Sequence, residues 1–335
     1  MSTPDSSCKD GMASKLSSDD VCEVMGKLST ADNKDGNDAS VSVCANCGSK
    51  EVNSLKSCTA CKMVKYCNRD CQIAHRPQHK KECRKRAAEL HDEKLFKLPP
   101  PDEDCPICFV RLPSLKTGWR YMTCCGKRIC SGCAYAPLYD NQGNEVDNEK
   151  CAFCRVPTPS SHEEIIKRRM KRVASSDPIA IHNLGCHYRD GEYGFAQNYT
   201  KASELFLRAG ELGHSEAYVC IGYAYDIGRG VDVDKKKAVY YNELAAIRGS
   251  VLARHNLGLE EERVGNMDRA LKHYMIAVGG GYADSLDRIK ELYSDEYATK
   301  EEYKNALQLY QACVDGIKSK QRDKVAASRD DCIYL

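Results

Sequence analysis

Fifteen of the chain's 21 cysteines lie between Cys44 and Cys154, most of them in pairs two residues apart. Cys44, Cys47, Cys58, Cys61, Cys67 and Cys71, with His79 and Cys83, form a first group. Cys105, Cys108, Cys124, Cys125, Cys130, Cys133, Cys151 and Cys154 form a second. Thiolate and imidazole are the donors Zn²⁺ takes four at a time, and a two-residue spacer lets one tight turn present two thiolates to one ion. Sixteen such side chains suffice for four zinc ions. Disulfides are the competing use of so many cysteines. The spacings are metal spacings, however, and the first thirty residues lack the apolar core of a secretory leader. A reducing compartment, cytoplasmic or nuclear, is therefore expected.

Little else in these segments can build a core. Residues 44–83 offer only Val52, Leu55, Met63, Val64, Tyr66 and Ile73 as scattered apolar groups. Metal must supply the stability, and structural zinc contributes on the order of 10–16 kcal/mol per site. Gly48, directly after Cys47, suits the left-handed turn of a metal knuckle. The spacing C-x2-C-x10-C-x2-C-x5-C-x3-C-x7-H-x3-C, with Tyr66-Cys67, Gln72 and His79-Lys80-Lys81-Glu82-Cys83, resembles a MYND zinc finger. The resemblance implies interleaved sites: Cys44, Cys47, Cys67 and Cys71 on one zinc, Cys58, Cys61, His79 and Cys83 on the other. MYND fingers are protein-interaction modules, several of which bind proline-containing peptides. The tryptophan that usually helps form their groove is replaced here by Arg76, so that peptide preference does not carry over. No methyltransferase sequence surrounds the finger. His75 competes with His79, but its spacing to Cys83 is wrong, and it reads as a solvent-facing helix residue.

The second group opens on Cys105-Pro106-Ile107-Cys108 and closes on Cys151-Ala152-Phe153-Cys154-Arg155-Val156-Pro157. It resembles a RING finger of the all-cysteine kind. Cross-brace pairing would place Cys105, Cys108, Cys130 and Cys133 on one zinc and Cys124, Cys125, Cys151 and Cys154 on the other. Lys127 stands where a histidine is usual, so the adjacent Cys124 and Cys125 must both ligate, straining the backbone; otherwise one site has three protein ligands. RING fingers commonly recruit a charged ubiquitin-conjugating enzyme and act by positioning its thioester. The matching contact positions are Ile107, Pro157 and Arg155, whose planar fork of donors suits bridging. The alternative is that Ile107 and Pro157 pack the finger and Arg155 faces water, since a fold does not establish a function.

The remaining segments position or connect these fingers. Residues 1–43 are polar and read as a disordered arm, relieved by Val21, Val24, Met25 and Leu28 on one helical face. Residues 84–104 read as a basic helix and a proline-rich linker. Between Lys62 and Lys97 eleven basic residues face five acidic ones, yet aromatic residues for base stacking are scarce, which argues against nucleic acid. Residues 158–176 read as a connecting helix, with Ser160 and Glu163 at capping-box spacing and the basic run Lys167–Arg172 in water. Residues 177–318 repeat: Leu184-Gly185 recurs as Ile221-Gly222 and Leu257-Gly258, at intervals of 37 and 36 residues. Such a period, made of two helical patterns, marks an α-solenoid. The pattern A-x3-LG-x2-Y-x2-G resembles Sel-1-like repeats, cousins of tetratricopeptide repeats, with a degenerate fourth repeat as cap. His182, Cys186 and His187 crowd the first repeat as packing residues rather than as a fifth metal site. Residues 319–335 read as a fraying polar tail. Its last four residues, from Cys332, have the outline of a prenylation box, but Tyr334, Asp330 and Asp331 oppose lipidation, and Cys332 is expected to be a free thiol.

The expected architecture is multidomain: two small zinc-stabilised cross-brace fingers at 44–83 and 105–157, then an all-α solenoid of helix-turn-helix repeats. No run of eighteen apolar residues spans a membrane. Neither a Ser/His/Asp set, a phosphate loop nor a paired-carboxylate cleft is legible, so the partners are proteins. Two functions remain open. One is a zinc-binding scaffold joining protein partners; the other is a RING-type ubiquitin ligase whose solenoid or first finger selects substrate. Metal-dependent folding is expected for residues 44–157 only.

Overall fold

The computed structural model describes residues 43–50, 55–99, 103–114, 118–136, 138–139, 145–146 and 149–328. The N-terminal arm with its amphipathic stretch, the end of the proline run and the Cys332 motif lie outside the described residues. The chain divides into two compact units, residues 1–94 and 95–335.

The first unit holds β1 (Lys56–Ser57), β2 (Lys65–Tyr66) and most of helix α1 (Arg69–Leu95). The strands pair antiparallel, Lys56 opposite Tyr66, and Cys44 bridges to Lys65. The buried residues at this centre are Cys44, Cys58, Cys61 and Tyr66. Three cysteines and one ring bury too little apolar surface to offset ordering a finger of this length. α1 is polar on all sides, and its one fully buried residue, Leu95, is the first residue of the second unit.

The second unit begins with a finger built on the hairpin β3 (Trp119–Met122) and β4 (Lys127–Cys130), the single turn α2 (Ser131–Ala134), and the pair β5 (Leu138–Tyr139) and β6 (Glu145–Val146). Ten helices follow: α3 (His162–Ala174), α4 (Pro178–Asp190), α5 (Tyr199–Glu211), α6 (Ser215–Ile227), α7 (Lys235–Ile247), α8 (Val251–Arg263), α9 (Met267–Gly279), α10 (Ala283–Ser294), α11 (Lys300–Ile317) and α12 (Lys320–Ala326).

Helices α4 to α11 stack as antiparallel pairs, each packed on its neighbours. The repeating small residues explain the spacing. A Cβ on Gly185 would lie 2.7 Å from the Phe206 ring, and one on Gly258 only 2.3 Å from Tyr274. At these two positions the paired helix drives an aromatic ring against backbone, whereas at Gly222 the near atoms are Asn242 Nδ2 at 3.0 Å and the Ala238 carbonyl at 3.2 Å. Side-chain caps set the helix starts: Asp177, Asn198, Asp234 and Ser250 each accept from a first-turn amide. Thr299 and Glu302 form a reciprocal capping box at the start of α11. The cap of α3 is Ser161, one residue after the Ser160 expected; Ser160 instead donates its backbone N–H to Glu164. Arg254 is 1% exposed and has no hydrogen-bond partner among the described residues, and burial alone lowers its pKa to about 10.

Two connections matter for the fingers. Leu95 joins the main core of the helical array, and Phe96 packs on His273 with ring centroids 4.7 Å apart, under the guanidinium of Arg269. At the other end, part of the segment read as a polar tail is the helix α12, capped by Ser319 and burying Arg322 and Val325. Among the described residues no helix is long and apolar enough to cross a membrane.

Candidate metal centres

Four of the eight half-sites, those opening on Cys44, Cys58, Cys105 and Cys151, are knuckles of the same construction. Gly48 N–H donates to Cys44 O, Lys62 to Cys58 O, Phe109 to Cys105 O and Arg155 to Cys151 O, at 2.9 to 3.0 Å. In return the first cysteine's own N–H donates two residues or one beyond that point, to Ser49, Val64, Val110 and Val156 carbonyls, at 2.8 to 3.0 Å. The residue after the second cysteine is left-handed in all four: Gly48 at φ 73°, Lys62 at 58°, Phe109 at 57° and Arg155 at 61°. Only the first is a glycine, so the sequence signalled one of four turns. The strain at the other three is held by the two hydrogen bonds of each knuckle.

Four sets of donors gather. Cys44, Cys47, Cys67 and Cys71; Cys58, Cys61, His79 and Cys83; Cys105, Cys108, Cys130 and Cys133; and Cys124, Cys125, Cys151 and Cys154 each bring their ligand atoms within 4.8 Å of one another. Within the sets, Cys47 and Cys67 sulfurs lie 3.6 Å apart, Cys61 Sγ lies 3.2 Å from His79 Nε2, and Cys124 and Cys154 sulfurs lie 3.3 Å apart. These are separations across the edges of a small tetrahedron with Zn–S near 2.3 Å. The adjacent Cys124 and Cys125 are accommodated in the β3–β4 turn. Cys125 and Gly126 both donate to Met122 O, and Gly126 takes φ 72°.

The electrostatics of the sets agree with a cation. The Cys47 backbone N–H, chiefly, lowers the Cys44 thiol to about 6, while contact with Cys71 and Cys47 pushes Cys67 up to about 12. Burial and contact with Cys58 push Cys83 up to about 12 as well. Backbone donors thus prepare the Cys44 thiolate, while neighbouring thiols at Cys67 and burial at Cys83 oppose ionisation unless a positive charge joins them. Burial holds His79 below the usual histidine range, which keeps the imidazole neutral and able to ligate.

His75 is not simply solvent-facing. It is half-buried, its Nδ1 lies 3.0 Å from the Tyr66 hydroxyl, and its ring stacks on His79 at 5.6 Å. It braces a ligand without joining the set. Ile107, Arg155 and Pro157 are all exposed, Ile107 at 36%. Pro157 O accepts from Arg168 of α3 at 2.7 Å. His182 is buried, with Nε2 3.6 Å from Cys220 Sγ and 3.8 Å from Cys186 Sγ, while His187 sits between Tyr193 and Phe195.

The array grips the second finger from its first helices. Arg172 of α3 donates to the carbonyls of Thr123 at 3.3 Å and Cys124 at 2.6 Å. Tyr121 OH donates to Asp177 Oδ2 at 2.7 Å, and Asp177 Oδ1 caps α4 through the amides of Ile179 and Ala180.

Comparison with known proteins divides the chain the same way. Residues 44–83 match the MYND finger, and residues 178–214 and 215–250 match the Sel1 repeat. No curated relative matches the chain. Among solved structures it is similar to a Sel1 repeat protein from Oxalobacter formigenes, with 26% identity over 50% of this chain and 64% of that one, at a TM-score of 0.38. It is also similar to c5321, a protective antigen of uropathogenic Escherichia coli with an SLR fold, with 22% identity over 51% of this chain and 38% of that one, at a TM-score of 0.41. The chain thus spans less than two thirds of either structure. Among the described residues, the N-terminal cysteine clusters and the helical array that contains the Sel1 repeats make up the fold.

Proposed function

We propose that the protein is a zinc-organised scaffold in the cytoplasm or nucleus, holding one protein partner on the MYND finger and another on the Sel1 repeats. The observation that carries this reading is two protein-interaction modules in separate compact units of one chain. Linking two binding modules raises the local concentration of their partners for each other without any new contact. Zinc would be held by the four donor sets, and its part is structural: it fixes the knuckles that shape the surface. The test is co-purification from the native cell of the full chain, of Cys58→Ser/Cys61→Ser, and of Gly258→Leu. The scaffold reading expects each lesion to remove a different partner while the unaltered chain holds both. Loss of the same partners by both lesions, or of none by either, counts against it.

A second reading is favoured by the exposure of Ile107, Arg155 and Pro157 on the second finger. If that finger is of RING type, these side chains would contact a charged ubiquitin-conjugating enzyme, with Arg155 supplying two parallel donors across the joint. Ubiquitin transfer by the zinc-loaded chain would then fall in Ile107→Ala and Arg155→Ala without loss of metal. Absence of transfer across a broad panel of conjugating enzymes leaves the scaffold alone.

A further inference from the structure

The helix α12 packs on α2, the turn that carries Cys133, although nearly the whole repeat array lies between them in sequence. Arg322 is 1% exposed at this joint. Its Nη1 donates to Arg111 O and to Ile317 O, both at 2.7 Å, and its Nη2 to Val110 O at 3.1 Å. Val110 O is the same carbonyl that closes the Cys105 knuckle by accepting from Cys105 N–H. Gln321 Oε1 lies 3.8 Å from Cys133 Sγ. A Cβ on Gly132 would be 2.9 Å from Arg322 N, so the two backbones touch.

A guanidinium buried to this degree is costly unless something offsets its charge. Among the described residues no carboxylate is paired with it, and the guanidinium donates to three carbonyls. What it faces is a set of four thiols, which binds Zn²⁺ as thiolates and then carries two net negative charges. The arginine thus does two things at once. It fixes the carbonyl that shapes the first knuckle, and it places positive charge beside the sulfurs.

We propose that Arg322 is a positioning residue of the Cys105, Cys108, Cys130 and Cys133 zinc site, and that α12 is a clasp without which this site holds metal poorly. The proposal rests on the zinc reading of the donor sets, independently of which partners the protein joins. Removing an outer-shell partner of a metal ligand typically costs 10–100-fold in affinity.

The full chain loaded with zinc is challenged with a chelator, and zinc per chain is followed by native mass spectrometry. Arg322→Ala should release one ion about 10–100-fold faster than the unaltered chain and retain the other three. Arg322→Lys, which keeps the charge but cannot span the carbonyls, should fall between. In the cadmium-substituted protein, Arg322→Ala should move one of four ¹¹³Cd resonances, a local signature that general loosening would not give. If Arg322→Ala does not fold, Arg322→Lys and a chain ending at Lys318 carry the test with the same expected loss of one ion. Release of all four ions at the unaltered rate, or faster loss from a set other than this one, overturns the proposal. So does an unaltered chain that binds three ions and leaves this set empty.

Discussion

The bond between Tyr121 and Asp177 ties the second finger to the first repeat, and its contribution can be worked out. The phenol donates at 2.7 Å to one carboxylate oxygen, while the other oxygen caps α4. Burial, then this bond, pushes the Tyr121 phenol above its ordinary range, so it remains a donor at any working pH. Tyr121→Phe removes a hydrogen bond to a charged group, worth about 1.5–3 kcal/mol, and leaves the cap in place. Asp177→Ala removes the same bond and the cap, which adds about 1 kcal/mol. The double variant should then cost no more than Asp177→Ala alone, because the tyrosine has already lost its acceptor. The coupling energy of the cycle should be about 1.5–3 kcal/mol, well above the ~0.5 kcal/mol seen between independent sites. Urea unfolding of the zinc-loaded full chain, followed by helical circular dichroism, measures all four corners. Additive single effects would refute the claim that the finger and the array are joined through this pair.

Three further outcomes follow from the same structure. Phe109 is left-handed at φ 57° and 77% exposed, so Phe109→Gly should stabilise the second finger by about 1 kcal/mol and slow zinc release; faster release would contradict the strain argument. Leu95 is 1% exposed in the core of the array, and Leu95→Ala should lower the stability of the second unit by about 2–5 kcal/mol while the first finger keeps its two zinc ions. Burial, chiefly, lowers the His255 pKa, and its Nδ1 lies 2.9 Å from Ser285 Oγ. Its folded form therefore binds fewer protons than the unfolded chain, and its contribution is complete above about pH 6.5 and lost as pH falls from there through the lowered folded value. Melting temperature should accordingly decline less steeply between roughly pH 7 and 5 in His255→Gln than in the unaltered chain, and parallel profiles would refute this.

Much of this was legible in the sequence because metal ligation and repeat packing both impose fixed spacings. The two-residue spacers of Cys44-Cys47 or Cys105-Cys108 follow from one turn serving one ion, and the intervals between Leu184, Ile221 and Leu257 follow from one helix pair stacking on the next. What escaped was whatever depends on a partner distant in the chain. Arg322 sits in a polar stretch whose composition says tail, and it is buried where α2 arrives from the other end of the unit. Likewise Tyr121 and Asp177 look like an ordinary strand residue and an ordinary cap. The left-handed turns at Lys62, Phe109 and Arg155 escaped for a different reason. The knuckle's hydrogen bonds can hold any residue there, so the chain is not obliged to spend a glycine.

These contacts bear on where metal dependence ends. The first finger's donors and hydrogen bonds lie in residues 44–83, within the first unit, so losing its two ions should be a local event. The second finger is different, because its backbone carbonyls accept from both ends of the array. Thr123 and Cys124 accept from Arg172, and Val110 and Arg111 from Arg322. Hydrogen bonds from charged donors are worth about 1.5–3 kcal/mol each, so four of them with the Tyr121–Asp177 bond approach the 5–15 kcal/mol by which a whole domain is stable. Those bonds need the finger's loops in place, and the loops need zinc, at on the order of 10–16 kcal/mol per site. Metal dependence should therefore run past residue 157 into α3, α4 and α12. Cys124→Ser/Cys151→Ser should lower the urea midpoint of the helical array, whereas Cys58→Ser/Cys61→Ser should leave it unchanged. Equal midpoints in both variants would mean that the array stands without the finger, and that metal dependence stops where the spacing of the cysteines alone would put it.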